Sequence, residues 1–245
     1  MSATCCSLDS HMISIIIPAH NEFKNLQRLF NTTCILEQEQ LLEIIVAVSP
    51  NTTDNTETLS SIAKVKLLRC KKNGRAAQMN EASNVAKGEI LVFLHADVVP
   101  PNGFVNDIQQ SLEHFFDAGF FSYRFDKENW LLRLNSSFTA KDGYFTGGGD
   151  QCLFIKKDVF YQIGTFNEEQ ALMEDFEFFG RMKKQKIPYT IVKNDLVVSA
   201  RKYECNSYLR VNLVNLLLVT LFKLGYSGDK LKVLHNKLIR TPYND

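Results

Sequence analysis

The chain has almost no excess charge of either sign: 28 Lys and Arg stand against 27 Asp and Glu, a net of +1 over 245 residues. Without a basic field, nucleic acid is not an expected partner, and any charged ligand has to be held by local groups. Cysteines at metal spacing are also missing. Cys5, Cys6, Cys34, Cys70, Cys152 and Cys205 form no C-x-x-C pair and have no clustered His, so they read as reduced, mostly packed thiols. A secretory leader is not visible, because the apolar run 12–17 is short and follows no basic region. A cytoplasmic protein is expected, one in which the sequons at Asn31, Asn51 and Asn135 stay unused. No apolar run reaches the roughly 20 residues of a spanning helix, and no linker or low-complexity stretch divides the chain. What remains is 45% apolar residues, enough to fill the core of an α/β domain.

The first hundred residues alternate regularly. Residues 13–17 are a β-branched run, as in a strand buried on both faces. Residues 22–36 then place Phe23, Leu26, Leu29 and Phe30 at helical spacing. The alternation continues as strand 42–48, short helix 54–62, strand 66–69, helix 74–86, strand 90–94 and helix 102–116. Such an order predicts parallel strands with right-handed crossovers and a ligand crevice beyond their carboxyl ends. Polar residues collect at those ends: Asn21 and Glu22, then 49–54, then 73–75, then His95 and Asp97.

The second half reads as strand 119–125, helix 129–140, a glycine-rich turn at 146–149 and strand 151–155. A helix, a second helix from about Met173 and two strands, 189–192 and 196–199, follow. Residues 1–205 are expected to form one domain and residues 206–245 a helical tail. Within the tail, Leu231, Leu234 and Leu238 share a face, flanked by Lys230, Lys232, Lys237 and Arg240. That pattern suits a membrane surface, or packing on the domain or on a second copy of the chain.

Several residues suggest chemistry. Asp97 ends an apolar strand, where an ionised carboxylate is costly to bury alone. It reads as a ligand for a hard divalent cation or as a helix cap. Glu174-Asp175 opens a helix, where acidic residues are ordinary but a general base is also well placed. Arg75, following Gly74, reads as a pyrophosphate contact or as a solvated surface arginine. His95 is a metal ligand, a phosphate contact or a packed residue. Trp130, Tyr144 and Phe145 form a sugar platform or belong to the core.

Taken together, Ser14-Ile-Ile-Ile-Pro18-Ala19-His20-Asn21-Glu22, His95-Ala96-Asp97 and Glu174-Asp175 resemble family 2 of the inverting glycosyltransferases. A narrower resemblance, to a small stand-alone subgroup named for its association with radical-SAM and selenodomain proteins, is carried by four segments. They are Gly74-Arg-Ala-Ala-Gln-Met-Asn80, Phe93-Leu-His-Ala-Asp97, Gly147-Gly-Gly-Asp-Gln151 and Ser199-Ala-Arg-Lys202. The resemblance implies a GT-A-type, Rossmann-like α/β/α sandwich with a mostly parallel sheet. It implies nucleotide binding by Pro18, Ala19, Glu22, Ser49, Gly74 and Arg75, a divalent metal (Mg2+ or Mn2+) on Asp97, and a base drawn from Glu174 and Asp175. His95, Gly148, Gln151 and Arg201 are its implied contacts to acceptor or diphosphate. The implied partners are a nucleoside-diphosphate sugar donor and an acceptor of unstated identity, a lipid-linked one suiting the tail. Contact with the inner face of the membrane or a homodimer through the tail would follow from the same pattern.

The chain also departs from the family. Ser49 stands where an acidic, base-reading residue is usual, although Asp54 keeps its place, and the metal motif is reduced to one carboxylate. These departures leave open a catalytically degenerate scaffold of the same fold. A sugar nucleotidyltransferase is disfavoured by the acidic loop after the first strand.

Overall fold

The computed structural model describes residues 11–32, 42–62, 64–113 and 115–240. An eight-stranded sheet runs in the order β3-β2-β1-β4-β7-β6-β8-β5. Its first half follows from the alternation: β1 (Ile13–Ala19), β2 (Leu42–Val48), β3 (Val65–Arg69) and β4 (Ile90–Phe93) pair in parallel. Helices α1 (Phe23–Thr32), α2 (Arg75–Val85) and α3 (Phe104–Glu113) lie in the connections. The expected residues 33–36 of the first helix and Cys5, Cys6 and Cys34 lie outside the described residues. The short helix expected at 54–62 is a 3-10 helix, Asn55–Ser61.

The strands bury both faces, as their unbroken apolar runs require. Along β1, Ile13, Ile15 and Ile17 pack with Leu26, Leu29, Phe104 and Ile108 on one side. Ile16 points the other way, toward Met79, Ala82, Phe160 and Phe178. Pro18 is tolerated in a central strand because the pairing of β1 with β4 ends at Ile16, so the missing N–H faces no partner strand.

The second half makes the sheet mixed, although parallel pairings still outnumber antiparallel ones. β6 (Ala118–Phe125), β7 (Leu153–Lys156) and β8 (Tyr189–Val198) form a mixed region: β4–β7 and β6–β7 are antiparallel, and β6–β8 is parallel. The short β5 (Val98–Val99) adds an antiparallel edge on β8. The two strands expected at 189–199 are one strand, shifted in register against β6 between Phe121 and Tyr123. Helices α4 (Trp130–Ser137), α5 (Lys157–Ile163) and α6 (Glu174–Lys184) complete this half.

The tail folds as an antiparallel-type hairpin of α7 (Tyr208–Lys223) and α8 (Gly228–Leu238). Val211, Val214, Leu218 and Leu231 gather around Leu172 and Met173, so the tail packs on the loop that leads into α6. No helix among the described residues is long and apolar enough to cross a membrane. Cys70 and Cys152 are buried, Cys205 is exposed, and all three thiols are free.

The segment 74–80 earns its composition inside the fold. Buried Gln78 donates to the carbonyls of Ala19 (2.9 Å) and Ala47 (2.7 Å), fixing α2 across the carboxyl ends of β1 and β2. Asn80 donates to the Phe166 carbonyl (2.9 Å) and accepts from the Phe166 N–H (3.0 Å), joining α2 to the loop after α5. Replacing Gln78 by Leu leaves two inward carbonyls without that donor. The expected loss is about 2 kcal/mol in chemical denaturation, and an unchanged midpoint would show that the amide does not fix α2.

Candidate active site

Beyond the carboxyl ends of β1, β2 and β4 the structure assembles a dense set of charges. Arg75 occupies the first turn of α2, after Gly74, whose φ of 110° few other residues could adopt. Its Nε donates to Glu174 Oε1, its second amino group lies 3.6 Å from Asp175 Oδ2, and its first lies 3.4 Å from His95 Nε2. Glu174 is only 2% exposed. A buried carboxylate stays ionised only with such a partner. Burial opposes its charge, but the Arg75 guanidinium holds Glu174 below the usual carboxylate range. Burial likewise opposes the charge on Arg75, yet Glu174 and Asp175 hold its proton more firmly than usual.

Asp175 behaves in the opposite way. Burial, with the neighbouring Glu174 charge, pushes it up to about 6 despite Arg75. Two adjacent acids are thus driven apart, one held ionised and one given affinity for a proton near neutrality. The residue before them, Met173, has a left-handed backbone (φ 67°), strain of the kind found at functional sites.

Asp97, just after β4, accepts from Arg201 at 2.8 Å. Glu22 faces the same group: burial raises its pKa, with Asp97 adding to the shift and Arg201 and His95 opposing it. Asp150 lies 3.8 Å from His95 Nδ1. Burial opposes its ionisation, but Lys202, His95 and Arg75 depress its pKa. Sequence reasoning had quoted Asp150 and Lys202 within motifs without assigning either a role. Gly149 was missed in the same way. A Cβ there would overlap the His95 ring and stand 2.5 Å from Asp175 Oδ2, so only glycine lets the loop press against both.

Pro18 and Ala19 belong to β1 and are buried rather than forming a loop, and the Ala19 carbonyl is occupied by Ser49 N and Gln78. Gln151 is buried, accepting from Gly147 N (2.9 Å) and donating to the Thr139 carbonyl (3.1 Å). Its amide ties the glycine turn to the segment after α4. Gly148 lines a small cavity with Phe93, Phe120 and Asp175. Trp130, Tyr144 and Phe145 are exposed, so none belongs to the core.

Ser49 lies at the end of β2, its hydroxyl donating to Asn73 Oδ1 at 3.2 Å. Asp54 caps the 3-10 helix and accepts from Phe23 N (2.8 Å) and Thr56 N (3.0 Å). Burial opposes its ionisation, but those donors lower its pKa. Asp54 therefore braces the loops after β1 and β2.

Among the described residues no group of three or more His, Cys, Asp and Glu could hold a metal ion. Asp97, with Glu22 facing it, offers a carboxylate oxygen at the strand ends. Magnesium commonly binds one or two carboxylates together with substrate phosphates, so such a site fits an ion whose other ligands come from a diphosphate.

A model of glycosyl transferase family 2 matches residues 14–176. No curated protein sequence matches the chain. Among solved structures, the chain is similar to the mannosyltransferase PcManGT from Pyrobaculum calidifontis, solved with GDP-Man and Mn2+. The TM-score is 0.63 and the identity 18%, over 89% of this chain and 66% of that one. It is also similar to residues 1–349 of TarS from S. aureus (TM-score 0.61, 17% identity, 90% of this chain and 68% of that one). The same TarS segment with UDP-GlcNAc gives a TM-score of 0.62 at 16% identity, over 90% of this chain and 69% of that one. These likenesses show the GT-A fold.

Gly149→Ala should force His95 and Asp175 apart. Overpacking of this kind costs about 1–3 kcal/mol, read as a lower midpoint in chemical denaturation. A neutral substitution would mean that the turn is not held against these side chains.

Proposed function

The chain belongs to glycosyl transferase family 2, and on that premise we propose that it moves a sugar from a nucleoside-diphosphate donor to an acceptor hydroxyl, with inversion. The observation that carries this reading is the split between Glu174 and Asp175. Glu174 is neutralised by Arg75, while Asp175 keeps an affinity for a proton close to neutral pH. Asp175 is then the base that takes the acceptor's proton as the new bond forms, and Glu174 positions Arg75.

The remaining charges suit the leaving group. Arg75, Arg201 and Lys202 meet at the strand ends, where two phosphates of a nucleoside diphosphate can lie. Asp97 is the residue to hold Mg2+ or Mn2+, and a bound ion supplies charge neutralisation for the departing diphosphate. Arg201, now paired with Asp97, can turn to the phosphates when other charge reaches that carboxylate. His95 is held between Arg75 and Asp150, at the side where Gly149 meets Asp175. The nucleoside falls against Glu22, Ser49 and Gly74. Because Ser49 and Asn73 present a neutral hydroxyl–amide pair there, the base is read without a carboxylate. Within the family we place the chain in the radical-SAM and selenodomain-associated subgroup, on the segments 74–80, 93–97, 147–151 and 199–202.

A thermal-shift panel of nucleoside diphosphates and their sugars, each with Mn2+, Mg2+ or chelator, tests the donor site. A ligand at 100 times its Kd stabilises the fold by about 2.7 kcal/mol. A metal-dependent shift with one nucleotide is expected, and Asp97→Ala should abolish the metal dependence. No shift with any nucleotide, in protein shown to be folded, would favour a non-catalytic scaffold.

Asp175 must be ionised to accept a proton, so the rate of sugar transfer should rise with pH through about 6 and level above it. Asp175→Asn should keep donor binding and lose roughly a hundredfold or more in rate. A flat profile between pH 5 and 8, or an active Asp175→Asn, would remove Asp175 from the role of base.

A further inference from the structure

Helix α7 has two apolar faces. Val211, Val214 and Leu218 are buried against Leu231 and Ile239. A second stripe is open to solvent: Leu209, Leu213, Leu216 and Leu217 are 70%, 64%, 46% and 42% exposed. Their spacing of i, i+4, i+7 and i+8 places them on one face. A helix with two apolar faces is normally covered on both.

Helix α4 continues this surface with Trp130, Leu134 and Phe138, which are exposed and spaced four residues apart. The two helices adjoin: Asn135 Nδ2 donates to Asn212 Oδ1 at 3.0 Å, and the Tyr208 hydroxyl donates to the Leu131 carbonyl at 3.0 Å. Exposed Tyr144 joins them, its hydroxyl 3.0 Å from Thr220 Oγ1 and its ring 3.3 Å beneath the Lys223 ammonium.

The charge around this surface is one-sided. Neither α4 nor α7 contains an acidic residue. Segments 129–148 and 207–240 hold eight Lys and Arg against two Asp, whereas the whole chain is balanced at +1. One of those two, Asp142, is already paired with Lys183 at 3.0 Å. A second copy meeting this face about a two-fold axis would set basic residues against basic residues. A surface with an apolar interior and anionic rim matches both properties. Exposed tryptophan and tyrosine beside cationic side chains suit the headgroup level of a bilayer.

We propose that the α4–α7 face lies on an anionic lipid surface. With 16 residues, α7 is about 24 Å long, short of the roughly 30 Å hydrocarbon layer, and it lies in the plane of the interface rather than across it. The face also adjoins the candidate active site. Tyr144 and Phe145 precede the glycine turn whose Gly149 abuts Asp175. A hydroxyl carried by a lipid therefore reaches the base from this side, a consequence that rests on the transferase reading.

The test is sedimentation of the full chain with vesicles of phosphatidylcholine alone and of phosphatidylcholine mixed with phosphatidylglycerol. Nucleoside-diphosphate binding is measured on the same samples. Cosedimentation with the anionic vesicles is expected, weakening as salt is added. It should fall about tenfold or more in the double variant Leu213→Glu, Leu217→Glu, whose nucleotide binding and Tm should match those of the parent chain. Absence of anionic-vesicle binding, or binding indifferent to those substitutions, would overturn the proposal. A dimer that the same substitutions dissolve, in a chain that ignores vesicles, would overturn it in favour of a second copy. Nucleotide binding without vesicle binding sinks the surface alone, and vesicle binding without nucleotide binding sinks the transferase reading alone.

Discussion

One ion pair organises the site: Arg75 on α2 and Glu174 on α6, 99 residues apart in sequence. Glu174 is buried to 2% exposure, and an ionised carboxylate at such depth needs a cation that the fold delivers to it. Delivery depends on α2, and α2 is pinned by Gln78 and Asn80 to the sheet and to the loop after α5. Once Glu174 is satisfied, its charge and the surrounding burial act on the next residue. Asp175 gains proton affinity from its burial first and from the Glu174 charge second. The pair is thus a structural joint that also sets the chemistry beside it.

The other cations share a property with Arg75, in that each lies near a carboxylate: Arg201 near Asp97, and Lys202 near Asp150. The cations of the site are thus matched by carboxylates within the fold itself. On the proposed reading, guanidinium groups already held at the strand ends require little ordering to receive phosphates. The tail takes part as well. Its apolar cluster includes Leu172 and Met173, so the strained backbone before Glu174 is braced by α7 and α8.

Much of this was legible in the sequence where the signal was local. The β-branched run at 13–17 and the apolar alternation to residue 94 became β1 to β4 with their helices. Among the polar residues just past those strands, Arg75 and His95 meet Glu174 and Asp175, and Asp97 meets Arg201 beside Glu22. The second half was read less well because its pairing is long-range. β7 is inserted between β4 and β6, and nothing in 153–156 announces an antiparallel neighbour. A register shift hid the continuity of β8. Gln151, an implied ligand contact, has both ends of its amide bonded to backbone, the Gly147 N–H in its own turn and the distant Thr139 carbonyl. Gly149 looked like a flexible hinge, whereas its role is the close approach of two side chains. Trp130, Tyr144 and Phe145 could not be placed by spacing alone, since exposure depends on which face the fold leaves uncovered.

The central claim is a single displacement in which Asp175 takes the proton from the attacking hydroxyl. Its most direct test uses water as the acceptor. The chain is incubated with the donor found to bind, and the released sugar is read by proton NMR before it mutarotates. From an α-linked donor such as UDP-GlcNAc or GDP-Man, the account predicts the β anomer first. Early release of the α anomer would contradict it, because retention requires a second displacement that an Asp175 base does not provide.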